Sequence, residues 1–170
     1  MERRHAVLAQ PACASGRREV GGGLCERGTP LILFLDTSAL IKLFVEEAGT
    51  SDVQGALRAA AAVAVAEITY VEAHSALARM RAGERLTGPG YRAKRSELDE
   101  FWGSVVVAEL STELIRRAAD LAAQHVLRAY DAVELAAALV VREADDTGFA
   151  CWDDELRRAA RAENLTLVPS

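Results

Sequence analysis

Five short apolar runs constrain this chain more than any other feature: residues 31–35, 63–66, 105–107, 148–151 and 165–168. Leu31-Ile32-Leu33-Phe34-Leu35 is the strongest, and neither it nor Val63-Ala64-Val65-Ala66 shows the apolar–polar alternation of a half-exposed strand. Continuous apolar runs this short fit strands buried on both faces. Helical patterns fill the gaps, over 38–45, 51–60, 69–83, 91–102, 112–125, 131–143 and 154–163. Gly88-Pro89-Gly90 reads as a break between two of them. Strands alternating with helices predict an α/β fold of three layers, a five-stranded parallel sheet covered by helices on both faces. Such sheets bind ligands beyond the carboxyl ends of their strands.

Residues 1–30 lack either periodicity. They hold five of the twelve glycines, two of the four prolines, and five arginines against three glutamates. They read as a disordered extension preceding a domain over 31–170, and the domain alone is expected to fold. That domain carries 15 basic and 22 acidic residues, a net charge of −7. A nucleic-acid-coating protein is basic, so any such contact here is local. The longest uninterrupted apolar run, 59–66, is far short of the ~20 residues of a membrane span. Cys13, Cys25 and Cys151 are an odd set without zinc spacing, and the first residues lack a signal peptide's apolar stretch. Free thiols in the reducing cytoplasm are expected.

The carboxyl-end rule directs attention to four acids. Asp36 follows the first run, Asp153 follows the fourth after Cys151 and Trp152, Glu72 lies early in the helix after the second, and Asp131 opens the 131–143 helix. Clustered carboxylates repel one another unless a cation joins them. An all-oxygen donor set suits Mg²⁺ or Mn²⁺ rather than zinc. The same residues also fit helix caps. Thr69-x-x-Glu72 and Asp131-x-x-Glu134 match the capping box, and Ser38 and Asp153 match the N-cap preference. Asp154, beside Asp153, competes for the fourth position, while Asp145 and Asp146 read as solvated.

Four segments, in order, resemble the motifs of PIN-domain ribonucleases, especially the toxins of VapBC toxin–antitoxin systems. They are Leu35-Asp36-Thr37-Ser38-Ala39-Leu40, Thr69-Tyr70-Val71-Glu72-Ala73, Arg128-Ala129-Tyr130-Asp131-Ala132-Val133, and Trp152-Asp153-Asp154-Glu155-Leu156. The resemblance spans about 31–168. It implies a metal-dependent endoribonuclease with Asp36, Glu72, Asp131 and Asp153 as catalytic metal ligands and Thr37 or Ser38 beside the metal or phosphate. It also implies an RNA substrate, a cognate VapB-type antitoxin over the carboxylate cleft, and a homodimer. Residues 1–30 and Trp152 depart from the family pattern.

One segment reverses the acidic balance. Arg79, Arg81, Arg85, Arg92, Lys94 and Arg95 surround the single acid Glu84. It reads either as two solvated helix faces or as a basic arm gripping RNA phosphates, where Tyr91 would stack on a base. Histidines 5, 74 and 125 are scattered, and no Walker A or G-x-G-x-x-G loop is present. Two other functions compete with RNA hydrolysis: another Mg²⁺-dependent phosphate hydrolase, and a PIN-like module that binds RNA or protein without cleaving.

Overall fold

The computed structural model describes residues 32–170. The extension over 1–30 and the start of the first run at Leu31 lie outside the described residues.

Five parallel strands form one sheet in the order β3-β2-β1-β4-β5: β1 (Ile32–Leu35), β2 (Ala62–Ala66), β3 (Val106–Ala108), β4 (Thr147–Ala150) and β5 (Thr166–Val168). Connecting them are α1 (Thr37–Ile41), α2 (Thr50–Ala59), α3 (Glu67–Ala82), α4 (Gly88–Trp102), α5 (Thr112–His125), α6 (Ala129–Ala144) and α7 (Asp154–Ala162). The chain runs outward from β1 through β2 to β3, then returns to β4 on the other side of β1. The order therefore reverses at β1, and the crevice outside its carboxyl end is the topological switch point of the sheet.

Alternation along the strands divides the core between the two faces. Leu33, Leu35 and Val65 point to one side and pack with Leu40, Leu77 and Leu98 from α1, α3 and α4. Phe34, Ala64 and Phe149 point to the other and pack with Leu114, Leu135 and Leu156 from α5, α6 and α7. Both faces of β1 are thus buried, which is why its sequence shows no alternation. Helix α6 buries Ala136, Ala137 and Ala138 completely. Small side chains let it lie close to β2 and along α5.

Local details differ from the sequence reading. Gly88-Pro89-Gly90 opens α4 instead of breaking the chain. Thr87 is its N-cap, accepting from Gly90 N–H at 3.1 Å, and proline is tolerated in a first turn because its missing N–H would have no intrahelical partner. The 38–45 helix is shorter and earlier, and its N-cap is Asp36 rather than Ser38. Both proposed capping boxes fail. Helix α3 starts at Glu67 and α6 at Ala129, so Thr69 and Asp131 are third residues of their helices. Neither helix has a side-chain cap, and Glu72 falls in the second turn of α3. Among the described residues, no helix is long and apolar enough to cross a membrane.

Candidate metal and phosphate site

All four sequence-selected acids line one cleft of about 300 Å³ at the carboxyl end of the sheet. Asp36 leaves β1, Asp153 follows β4, Glu72 comes from α3 and Asp131 from the first turn of α6. Thr37 and Ser38 lie on the same wall. Asp154 is exposed and outside the cleft, which separates it from Asp153.

Asp36 is held most firmly. Only 4% exposed, its Oδ1 accepts from Ala39 N–H at 2.9 Å and from the Ser38 hydroxyl at 2.8 Å. Burial nevertheless dominates and pushes its pKa up from 3.8 to about 6, against those hydrogen bonds and the Cys151 thiol. Ser38 also accepts from Trp152 N–H at 2.8 Å, tying the loop after β4 to the start of α1. Asp153 caps α7 through Leu156 N–H at 2.9 Å. The carboxyl of Asp131 is raised above the usual carboxylate range by partial burial first and by the charge of Asp153 next, with Arg128 opposing. Cys151 is a free, buried thiol, and burial pushes its pKa up.

Sequence reasoning missed three charged residues of the cleft, Glu134, Lys42 and Glu47. Glu134, taken as the far end of a capping box, is 2% exposed and reaches the cleft from inside α6. Its Oε1 accepts from Thr69 at 2.6 Å and lies 3.2 Å from the Thr37 hydroxyl. Burial first and the charge of Asp36 next raise its pKa well above the ordinary value. Its signal in the sequence was the lone acid in the apolar stretch 132–141. Lys42, the lone cation in the stretch 39–45, is also buried and lines the cleft. Its Nζ lies 3.5 Å from Glu47 and 5.2 Å from the centre of the Trp152 ring. Gly49 adopts φ +90°, and a Cβ there would overlap the Trp152 indole.

Of the six basic residues between 79 and 95, on α3, α4 and the loop that joins them, Arg79 alone lines the cleft. Arg85 pairs with Glu47 at 2.9 Å, Lys94 with Glu97 at 2.7 Å, and Arg95 lies over the half-buried Tyr91 ring. Arg81 and Arg92 are exposed. His74 sits 3.1 Å from Asp99, on the far side of α3 from Glu72.

As the side chains stand, no three His, Cys, Asp or Glu groups among the described residues close onto one point to hold a metal ion. The donor set still fits a hard divalent cation. It is all oxygen, its carboxyls raise one another's pKa, and Glu134 Oε2 is buried with no hydrogen-bond partner. Buried anions without countercharge are costly, and a cation in the cleft would offset that cost.

The PIN domain family matches residues 33–162, most of the chain and all four acids. This chain belongs to the PIN-domain family. Ribonuclease VapC45 of Mycobacterium tuberculosis (strain CDC 1551 / Oshkosh) is 32% identical over 143 residues, which are 83% of this chain and 96% of the relative. In fold, this PIN domain is similar to Mycobacterium tuberculosis VapC20, described as a sarcin-ricin loop cleaving toxin. The TM-score is 0.57 at 17% identity, covering 75% of this chain and 94% of VapC20. It is also similar to a chain of VapBC2 from Rickettsia felis, solved bound to a promoter DNA fragment. There the TM-score is 0.55 at 14% identity, with 80% and 96% covered.

Proposed function

We propose that this PIN domain is a divalent-metal-dependent endoribonuclease, the toxin of a type II toxin–antitoxin pair, restrained by a VapB-type antitoxin. The observation that carries the reading is the convergence of Asp36, Glu72, Asp131 and Asp153 on the cleft at the switch point of the sheet. The relative named as a ribonuclease, aligned over nearly all its length, supports the reaction class. A VapBC assembly of the same fold supports a VapB-type partner. The rival phosphate hydrolases use a strand-end aspartate as nucleophile, whereas the Oδ1 of Asp36 is occupied by Ala39 and Ser38.

Asp36, Glu72, Asp131 and Asp153 would hold Mg²⁺ or Mn²⁺. When bound, such an ion supplies a Lewis acid that lowers the pKa of water and offsets charge on the phosphate. The protein's share of the work is placement. Ser38 and the Ala39 N–H fix the carboxylate of Asp36, and the Thr37 hydroxyl fixes that of Glu72 at 2.8 Å. The exposed Arg79 lines the cleft as the cation that receives a neighbouring phosphate of the RNA, while the buried Lys42 supplies positive charge from within the wall. Cytoplasmic action and a homodimeric state complete the proposal.

Expression of the full chain in cells lacking a partner tests the toxin role. Growth should stop and RNA should be cleaved, while Asp36→Asn should be harmless. Normal growth beside an enzyme that cleaves RNA in vitro would reject the toxin reading.

A further inference from the structure

Glu134 is an acid that the four-carboxylate reading leaves without a task. It is 2% exposed, and its Oε2 is the one buried side-chain oxygen or nitrogen without a partner among the described residues. Leaving a buried oxygen unpaired is costly, and more so when the group is charged. An apolar residue at this position of α6 would avoid that cost, since Ala132, Leu135, Ala136 and Ala138 around it are all buried. All the hydrogen bonding falls on the other oxygen. Oε1 takes Thr69 from α3 at 2.6 Å and faces Thr37 from α1 at 3.2 Å. Thr37 has one hydroxyl hydrogen, and its shorter contact is to Glu72 Oε2 at 2.8 Å. The hydroxyl therefore lies between two carboxylates, one buried, the other on the cleft wall.

We propose that Glu134 is a positioning residue of the metal site: from beneath the cleft, its Oε1 anchors Thr37 and Thr69, and Thr37 in turn aims the carboxylate of Glu72. Helices α1, α3 and α6 meet at this one oxygen, so the relative placement of Asp36 at the N-cap of α1, Glu72 on α3 and Asp131 on α6 depends on it. Partners of this kind, one bond removed from the metal, commonly cost 10–100-fold in metal affinity when removed. The inference rests on reading the cleft as a metal site.

The experiment is Mn²⁺ binding to the full chain by calorimetry, with a melting curve of each metal-free variant. Glu134→Leu should bind Mn²⁺ about 10–100-fold more weakly; it removes the unpaired Oε2 but also leaves the buried Thr69 hydroxyl without its acceptor, so the melting curve checks that the variant is folded where binding is measured. Glu134→Gln should recover most of the lost affinity, since its carbonyl can accept from the same threonines. Thr37→Val should also weaken binding, and adding it to Glu134→Leu should cost little more, because both break one relay. A residue serving only the fold would lower the melting temperature and leave the affinity alone. Parental affinity in Glu134→Leu overturns the inference. So does a Glu134→Gln as weak as Glu134→Leu, which would make the charge itself the contribution. Should Glu134→Leu fail to fold, Thr37→Val and Glu134→Gln decide: a Thr37→Val that binds like the parent overturns it. A parent that binds no Mn²⁺ overturns the metal-site reading and this inference with it. A parent that binds beside unaffected variants overturns this inference alone.

Discussion

Thr37 Oγ1 donates to Glu72 Oε2 at 2.8 Å, joining the residue after the first acid to the second acid across 35 positions of sequence. That bond couples the start of α1 to α3, and with them two of the four carboxylates of the cleft.

Because Asp131 lies inside α6 and Glu72 in the second turn of α3, neither caps a helix through its side chain. Asp131→Asn and Glu72→Gln should therefore cost no cap energy, which would otherwise be about 1 kcal/mol. Each removes a charge from a repelling set, so the metal-free variants should melt at or above the parent's temperature. RNA cleavage should fall by orders of magnitude in both. Added Mn²⁺ should raise the parent's melting temperature and the variants' less. Melting curves with and without Mn²⁺, beside a cleavage assay, check this; full activity in either variant would remove that acid from the site.

Stability of the metal-free protein should fall as pH rises through the range set by Asp36. Below about pH 4 this carboxyl is protonated in both the folded and unfolded chains. From 3.8 to about 6 the unfolded chain releases the proton while the buried carboxyl keeps it, so folding loses stability with increasing pH. The loss is complete above that range and amounts to about 3 kcal/mol for this group. Asp131 and Glu134 shift in the same direction. Urea denaturation between pH 4 and 7 should show the decline in the parent and a shallower one in Asp36→Asn. Saturating Mn²⁺ should oppose it, because the ion binds the ionised carboxylates.

Among the basic residues, Arg79 should matter most for RNA. It lines the cleft, whereas Lys94 is engaged with Glu97. Arg79→Glu should weaken RNA binding and lower the salt slope by about 1. Lys94→Glu should do so less. Affinity measured across a salt series separates them, and equal slopes for parent and Arg79→Glu would make this surface an ordinary solvated face.

Val126 ends α5 in the left-handed region at φ 56° and is 85% exposed. A branched side chain there carries a steric cost of about 1–2 kcal/mol and returns no packing. Val126→Gly should raise the unfolding free energy by roughly 1 kcal/mol without changing cleavage. A destabilised variant would mean that Val126 packs on something in solution.

The sheet was legible because β1 and β4 are buried on both faces, which leaves continuous apolar runs such as Leu33-Phe34-Leu35 in the sequence. Asp36 was legible because it directly follows such a run, and Asp153 because it comes just after another, past Cys151 and Trp152. The helix starts were not. Ala66 and Arg128 occupy N-cap positions with no side-chain cap, so Thr69 and Asp131 looked like the boundaries and Glu72 and Glu134 like their box partners. Glu134 escaped for a further reason. Its role depends on Thr37 and Thr69, which lie 97 and 65 residues away, and no local pattern records contacts of that range. Lys42 was hidden similarly, since the other walls of its cleft, with Glu72, Asp131 and Asp153, come from distant stretches of the chain.

The central claim is that these carboxylates form one metal-dependent RNA-cleaving site. Its most direct measurement is cleavage of a defined RNA by the full chain, with Mn²⁺ titrated in and then removed with EDTA, beside Asp36→Asn. Asparagine keeps the N-cap bond to Ala39, so the variant should stay folded. The account predicts cleavage by the parent that appears with Mn²⁺ and stops with EDTA, and none by Asp36→Asn. Cleavage that persists in EDTA, or that Asp36→Asn performs as well as the parent, would contradict it.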